Sequence, residues 1–131
     1  GTTTSTSCSS TGKDRHRFWG YAFGMPASVG SVDGITVQAR MGTSSSTGTY
    51  GICVELSWDG GTTWTTARQV LFSTRVQTTY TIGGAADTWG RSWTAGNLGT
   101  GSFRVRITDV SSNTSRRFDL DYLGVSVNYT P

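Results

Sequence analysis

The chain has 131 residues, of which 34% are hydrophobic and 18 are glycine, so its length suits one domain built around one hydrophobic core. Only 15% of the residues are charged, too few for exposed amphipathic helices, and the 11% of aromatic residues argues against a disordered polypeptide. The formal net charge of +3 comes mainly from scattered arginines without a dense basic run, so we expect no nucleic-acid partner.

The N-terminal twelve residues, 1–12, are the polar, low-complexity sequence GTTTSTSCSSTG, which is typical of a linker or a flexible arm. The two cysteines, Cys8 and Cys53, are too far apart for a CxxC metal or redox motif, so they form either one disulfide or two buried thiols. We favour the disulfide, which would anchor the arm to a module at 13–131 and would indicate an oxidising environment. We therefore expect an extracellular or cell-surface protein in which this module has neighbouring domains.

Alternating apolar and polar residues predict antiparallel strands along most of the module. The clearest case is the segment 50–58, where Ile52, Val54 and Leu56 share one face and Trp58 follows in the same phase, which favours a core position for it. The predicted strands are 17–23, 35–40, 50–58, 64–71, 78–82, 103–108 and 118–129, and we expect about eight strands in all. They predict an all-β fold of two antiparallel sheets, a β-sandwich of the jelly-roll type, without the Cys-Trp-Cys spacing of immunoglobulin domains. No apolar run approaches the ~20 residues of a membrane span, so we expect no membrane insertion.

The eight residues SWDGGTTW join two of these strands, and their Gly-Gly pair predicts a hairpin turn because glycine adopts positive φ easily. Ser57, Asp59, Gly61 and Trp64 form the pattern S-x-D-x-G-x-x-W, which resembles the Asp-box hairpin of sialidases, other propellers and assorted extracellular modules. The resemblance implies a structural turn. In such a turn the aspartate accepts hydrogen bonds from backbone N–H groups of the loop and the final aromatic ring packs into the core.

A wider resemblance covers nearly all of the chain after Phe18. It is carried by FGMPASVGSVDGITVQAR, VELSWDGGTTW, DTWGRSWT, and FRVRITDV followed by FDLDYLGVSV. These segments resemble β-sandwich accessory modules of secreted multidomain proteins, including carbohydrate-binding modules appended to glycoside hydrolases and modules of virion or adhesin stalks. Because such modules differ widely in function, the resemblance supports the fold more than the activity.

The last of these segments is similar to the closing strand of many jelly-roll carbohydrate-binding modules, where an aspartate often helps to bind a structural calcium ion. Asp121 stands at that position. Counting back in twos from Val127 through Val125 and Leu123 places Asp121 on their face, so burial of that face would turn the carboxylate inward. A buried carboxylate needs a partner, and calcium, an arginine or a group of backbone N–H donors would each satisfy it.

Two aromatic groups with arginines are candidates for sugar binding, because sugar rings stack on Trp or Tyr through their C–H faces and hydrogen-bond through their hydroxyls. These groups are Arg17, Trp19 and Tyr21 on the first predicted strand, and Trp89, Arg91 and Trp93 in the irregular loop ADTWGRSWTAG. Core or loop packing is the alternative for every one of these rings, since a small sandwich needs large buried side chains.

The sequence thus predicts a non-catalytic carbohydrate-binding module that holds polysaccharide through aromatic and arginine side chains while a neighbouring domain acts. A structural or adhesive module of a surface stalk, fibre or virion, with no small ligand, is the alternative. We expect no enzyme activity. His16 is the only histidine and lies among charges in KDRHR, and no nucleophile, zinc cluster or phosphate loop is recognisable.

Overall fold

The computed structural model describes all of the chain, residues 1–131, and shows an all-β protein with one short 3₁₀ turn at Gly96–Leu98. It has seven strands: β1 (Arg15–Phe18), β2 (Ser31–Thr43), β3 (Tyr50–Ser57), β4 (Arg68–Leu71), β5 (Thr78–Gly83), β6 (Arg104–Ser111) and β7 (Phe118–Thr130). No helix has the length and apolar character to cross a membrane.

The seven strands form two sheets that pack face to face as a β-sandwich, which confirms the predicted fold class. One sheet has four strands in the order β1-β6-β3-β4, and the other has three in the order β5-β2-β7. Every neighbouring pair is antiparallel. The jelly-roll topology stays a prediction.

The core lies between the sheets and is made by the alternating apolar residues that the sequence singled out. The inner positions of β2, β3 and β6 are completely or almost completely buried: Ile35, Val37, Ala39, Ile52, Val54, Leu56, Val105 and Ile107. Burying a Val, Leu or Ile side chain contributes about 1.5–3 kcal/mol, so these rows supply much of the stability of the fold.

The first strand is shorter than the segment 17–23 that we predicted. It ends at Phe18, which pairs with Val105, and β6 begins at Arg104, so little partner strand remains beyond that point. Gly20 adopts a φ of 83° and takes the chain out of the strand. Residues 19–30 therefore have no regular secondary structure, and the two residues after Phe18 lie at the open edge of the sandwich.

The last strand contains a β-bulge at Asp121. Arg40 of β2 pairs with Tyr122 and Met41 pairs with Leu120, which leaves Asp121 as an extra residue. The bulge changes the side-chain phase, so that Leu120 and Leu123 both pack against the core and Asp121 is exposed. The predicted inward position of Asp121 is therefore wrong, because period-two counting does not allow for the extra residue.

The predicted disulfide between Cys8 and Cys53 is present, with the two Cα atoms 5.8 Å apart. Cys53 lies on the outer face of β3 and is fully buried, because the N-terminal arm covers it. The arm also forms hydrogen bonds to the sheet side, among them one from the Gln69 side-chain amide to the Thr6 carbonyl. Residues 1–12 are thus an ordered loop, and the disulfide indicates an oxidising environment.

Candidate functional site: a groove between two edge strands

A groove of about 570 Å³ lies between β1 and β7, the edge strands of the two sheets. Two short segments line it, 17–21 from the end of β1 and 120–123 around the bulge of β7. The sheets do not hydrogen-bond to each other along this side, so the side chains of both edges meet solvent in the gap. The groove contains all three members of the first predicted sugar-binding group, Arg17, Trp19 and Tyr21.

Trp19 forms the aromatic surface on the β1 side of the groove and is 61% exposed. It follows the last residue of β1 and precedes the positive-φ Gly20, so no neighbouring strand covers it. The guanidinium carbon of Arg104 lies 4.9 Å from the centroid of its ring. This cation–π contact orients the indole while most of the ring stays accessible.

Tyr122 forms the aromatic surface on the β7 side and is 55% exposed. A Cβ atom added to Gly124 would lie 2.3 Å from the Tyr122 hydroxyl oxygen, so the phenol lies along the strand over this glycine. Burial raises the pKa of the half-buried Tyr21, and the nearby Tyr122 raises it further, which is consistent with two phenols in one groove. The two edges therefore present aromatic surface from both sides.

Polar groups of both signs accompany these rings. Arg17 is exposed and has no carboxylate partner, in contrast to Arg106, whose guanidinium donates to Glu55 with an Nη2–Oε2 distance of 2.6 Å. Asp121 stands opposite on the bulge, with its Oδ2 atom 3.5 Å from Nε of Arg40. Exposed ion pairs of this kind contribute little, so donors and acceptors on both sides of the groove remain available to a ligand.

The surroundings of Asp121 do not fit the calcium ion that the resemblance implies. Calcium takes six to eight oxygen ligands, whereas Asp121 is the single carboxylate that lines the groove and has the positive guanidinium of Arg40 beside it. No group of three or more His, Cys, Asp or Glu side chains in the chain could hold a metal ion. The partner of the Asp121 carboxylate in the structure is the guanidinium of Arg40.

The second predicted sugar-binding group is packed against the core. Trp89 and Trp93 are 4% and 6% exposed, and their indole N–H groups donate to the carbonyls of Ile35 at 2.9 Å and Thr88 at 2.8 Å. Neither ring presents an open face to solvent. These two tryptophans therefore have the core or loop packing that was the alternative to sugar binding.

Arg91 belongs to the same packed loop. Its guanidinium carbon lies 3.7 Å from the ring centroid of Trp58 and 4.8 Å from that of Trp93, while the two indoles contact each other edge to face. Desolvation lowers the pKa of Arg91, and the carboxylate of Asp59 opposes that effect. Trp58 is half-buried and packs against the core, in line with the strand phase that favoured a core position for it.

The SWDGGTTW turn has the hydrogen bonds that the pattern implies. The Oδ1 atom of Asp59 accepts from the backbone N–H groups of Thr62 at 3.1 Å and Thr63 at 2.8 Å, and these bonds, that to Thr63 foremost, lower the pKa of Asp59. The Ser57 hydroxyl donates to the same oxygen and accepts from the N–H of Gly61, both at 2.9 Å. The turn joins β3 to β4, which pair with each other as a hairpin.

Trp64 differs from the packing that the resemblance implies. It is half-buried, its indole N–H donates to the carbonyl of Gly61 at 3.1 Å, and its ring lies 4.2 Å from the guanidinium carbon of Arg106 and 5.4 Å from that of Arg17. It is thus part of an outer layer of arginines and tryptophans. Trp64 is not among the side chains that form the core or pack against it.

The groove residue Tyr122, and Arg104, which contacts the Trp19 ring, were not among the predicted sugar-binding residues. A bulky aromatic residue placed two positions before a glycine in the outward phase of a strand is a usable signal for Tyr122, since a missing side chain leaves room for a neighbouring ring. For Arg104 the sequence offers no such signal, because its contact with Trp19 depends on where β1 ends.

Comparisons of the chain with protein-family models, with curated proteins and with solved structures give no match.

Proposed function

We propose that the chain is a non-catalytic carbohydrate-binding module of a secreted or cell-surface multidomain protein, and that it holds polysaccharide in the groove between β1 and β7. One observation carries the proposal. Trp19 and Tyr122 are the two most exposed aromatic side chains of the molecule, and both line this groove, on opposite sides of it. Exposure of such large rings costs hydration free energy, so their concentration in one groove favours a ligand with apolar surface.

The groups in the groove suit a sugar better than a purely apolar ligand. A pyranose ring would stack its C–H face on the indole of Trp19 or the phenol of Tyr122, and each such contact contributes about 0.5–1.5 kcal/mol beyond area burial. Arg17 donates hydrogen bonds to hydroxyl oxygens and Asp121 accepts them from hydroxyl groups. Because the groove is shallow and open to solvent, it suits a segment of a polysaccharide chain, and binding keeps a neighbouring domain close to its substrate.

The turn and the disulfide support the same class of protein. The hydrogen bonds of Ser57 and Asp59 agree with the proposed kinship to Asp-box hairpins of extracellular modules. The Cys8–Cys53 disulfide agrees with an extracellular location.

Affinity electrophoresis through gels that contain a panel of polysaccharides tests this function. We expect at least one glycan to retard the wild-type chain. Trp19→Ala or Tyr122→Ala should each lower the affinity for that glycan by about tenfold, because one stacking ring is lost. Tyr129→Ala is the matched control, because Tyr129 is an exposed aromatic residue of the same strand outside the groove.

Absence of retardation on every glycan would contradict the proposal and would favour a structural or adhesive module. Retardation that survives both groove substitutions would place the glycan elsewhere on the surface.

A further inference from the structure

A second cavity, of about 300 Å³, lies between the sheets beside the groove. Phe18 and Leu120 line both spaces and separate them. Five apolar side chains form most of the cavity wall, and the polar residues are His16 from β1 and Asp109 from β6. The cavity thus combines an apolar interior with one carboxylate.

Asp109 is placed on the inner face of the four-stranded sheet by the same alternation that builds the core. It follows the buried Ile107 by two positions and pairs with the buried Ile52 of β3. Near the end of β6 the three-stranded sheet no longer covers this face completely, so the side chain lines the cavity and is half-buried.

The carboxylate of Asp109 has no hydrogen-bond or ion-pair partner in the protein. The other seven acidic side chains each have at least one, from an arginine, a hydroxyl, backbone N–H groups or the N-terminal amino group. A half-buried carboxylate without a partner is costly, because water solvates it poorly and nothing in the protein replaces that water. Asp109 is therefore the one acidic side chain that the fold leaves without a partner.

The charged groups around Asp109 leave it unneutralised. Desolvation raises the pKa of Asp109 to about 6, with Asp14 adding to the effect and His16 and the N-terminal amino group of Gly1 opposing it. Asp14 is itself paired with that amino group at 2.9 Å, and His16 is an exposed residue at the cavity mouth. The residues that β2 and β7 contribute to the wall are apolar only.

We propose that this cavity binds a small organic cation, a primary ammonium group on an alkyl or aryl body. The ammonium group donates to the Asp109 carboxylate, and the apolar body contacts Met41, Ile107 and Phe118. The volume is at the lower end of the range for small-molecule sites, which suits a body of a few carbon atoms. An anionic ligand would be repelled by Asp109, and a neutral one would leave the carboxylate without its ion pair.

Hexylammonium and hexan-1-ol are matched probes for this site, because they share the alkyl body and differ in the head group. We expect hexylammonium to bind saturably in calorimetric titration and to shift the NMR signals of the Met41 and Ile107 methyl groups. Hexan-1-ol should bind at least about tenfold more weakly, because its neutral hydroxyl group cannot form the ion-paired hydrogen bond to the Asp109 carboxylate. Asp109→Asn should reduce hexylammonium binding to the level of the alcohol. Asp119→Asn is the control, an exposed carboxylate paired with Arg117 outside the cavity.

Absence of a saturable shift, equal affinity for amine and alcohol, or unchanged affinity in Asp109→Asn would each overturn the proposal. If that variant fails to fold, the wild-type chain decides by itself. Hexylammonium affinity should be high at about pH 8 and lost at about pH 4.5, where Asp109 is protonated, and a pH-independent affinity would overturn the proposal equally. The result is independent of the glycan groove, whose reporters are Trp19 and Tyr122.

Discussion

The carboxylate of Asp109 carries a pH-dependent cost for the folded chain. Its pKa is about 6 in the fold, above the ordinary 3.8, so the folded state binds more protons than the unfolded state between these values. The cost is absent below the ordinary pKa, grows as the pH rises, and is complete above about pH 6. An unpaired acidic group of this kind is typical of a binding site rather than of a stabilising contact.

Asp109→Asn should therefore stabilise the chain at neutral pH. We expect the free energy of unfolding to rise on the order of 2 kcal/mol at about pH 8 and to change little at about pH 3.5. Urea denaturation at the two pH values measures the difference, with Asp119→Asn as the control. A gain of equal size at both values, or a loss at the higher pH, would contradict the assignment of a desolvated carboxylate.

Two aspartates show how far the sequence alone reaches. The inner position of Asp109 follows from its phase with Val105 and Ile107, so it could have been predicted from FRVRITDV. The absence of a partner could not, because it depends on which strands cover the end of β6. For Asp121 the same counting fails, since one bulge residue reverses the phase and nothing in the sequence marks it.

The edge strand β7 owes its aromatic surface to a missing side chain. Gly124 leaves space for the Tyr122 ring, which lies along the strand over this glycine. Glycine weakens a strand, but at this position its missing side chain makes room for the ring of Tyr122.

Gly124→Val should weaken glycan binding with little effect on stability. The added side chain would displace the ring of Tyr122, an exposed and flexible group, while valine itself favours a strand. Affinity electrophoresis should show reduced retardation, and thermal unfolding should show a nearly unchanged midpoint. Ser126→Val is the matched control, the next outward position of the same strand beyond the groove lining. Equal retardation of the two variants would contradict a role for the Tyr122 ring position.

Strands with strong alternation were predictable, and the segments at their ends were not. β3, β6 and the hairpin from β3 to β4 follow from local pattern and from the Gly-Gly turn. The end of β1 depends on where its partner begins, which is a property of the assembled sheet. The burial of Trp89 and Trp93 is likewise a property of the folded loop. Their indole N–H groups donate to backbone carbonyls, and the sequence does not show which carbonyls accept them.

The N-terminal arm covers part of the outer face of the four-stranded sheet, and the Cys8–Cys53 disulfide holds it there. The link joins residues 45 positions apart, and loop closure of this length stabilises the folded state by about 4 kcal/mol in the chain-entropy model. The arm also buries Cys53 and the outer face around it.

The double variant Cys8→Ser/Cys53→Ala should lose about 3–4 kcal/mol of unfolding free energy while the groove, which neither residue lines, keeps its glycan affinity. Urea denaturation and affinity electrophoresis measure the two properties. An equal free energy of unfolding with and without the disulfide would contradict this stabilisation by the covalent link.

The groove itself is a property of the complete sandwich. It exists because β1 and β7, far apart in sequence, become the edge strands on the same side. The sequence predicted Arg17, Trp19 and Tyr21 as one group, although on a longer strand than the structure has, and the Tyr122 side of the groove requires the strand order of both sheets.

An NMR titration tests the groove most directly. It follows the assigned indole N–H signals of the five tryptophans as a glycan that retards the chain in affinity electrophoresis is added. If polysaccharide binds between β1 and β7, the Trp19 signal shifts saturably. The signals of the buried Trp89 and Trp93 then stay in place. A Trp19 signal that does not move while the glycan is bound would contradict glycan recognition in this groove.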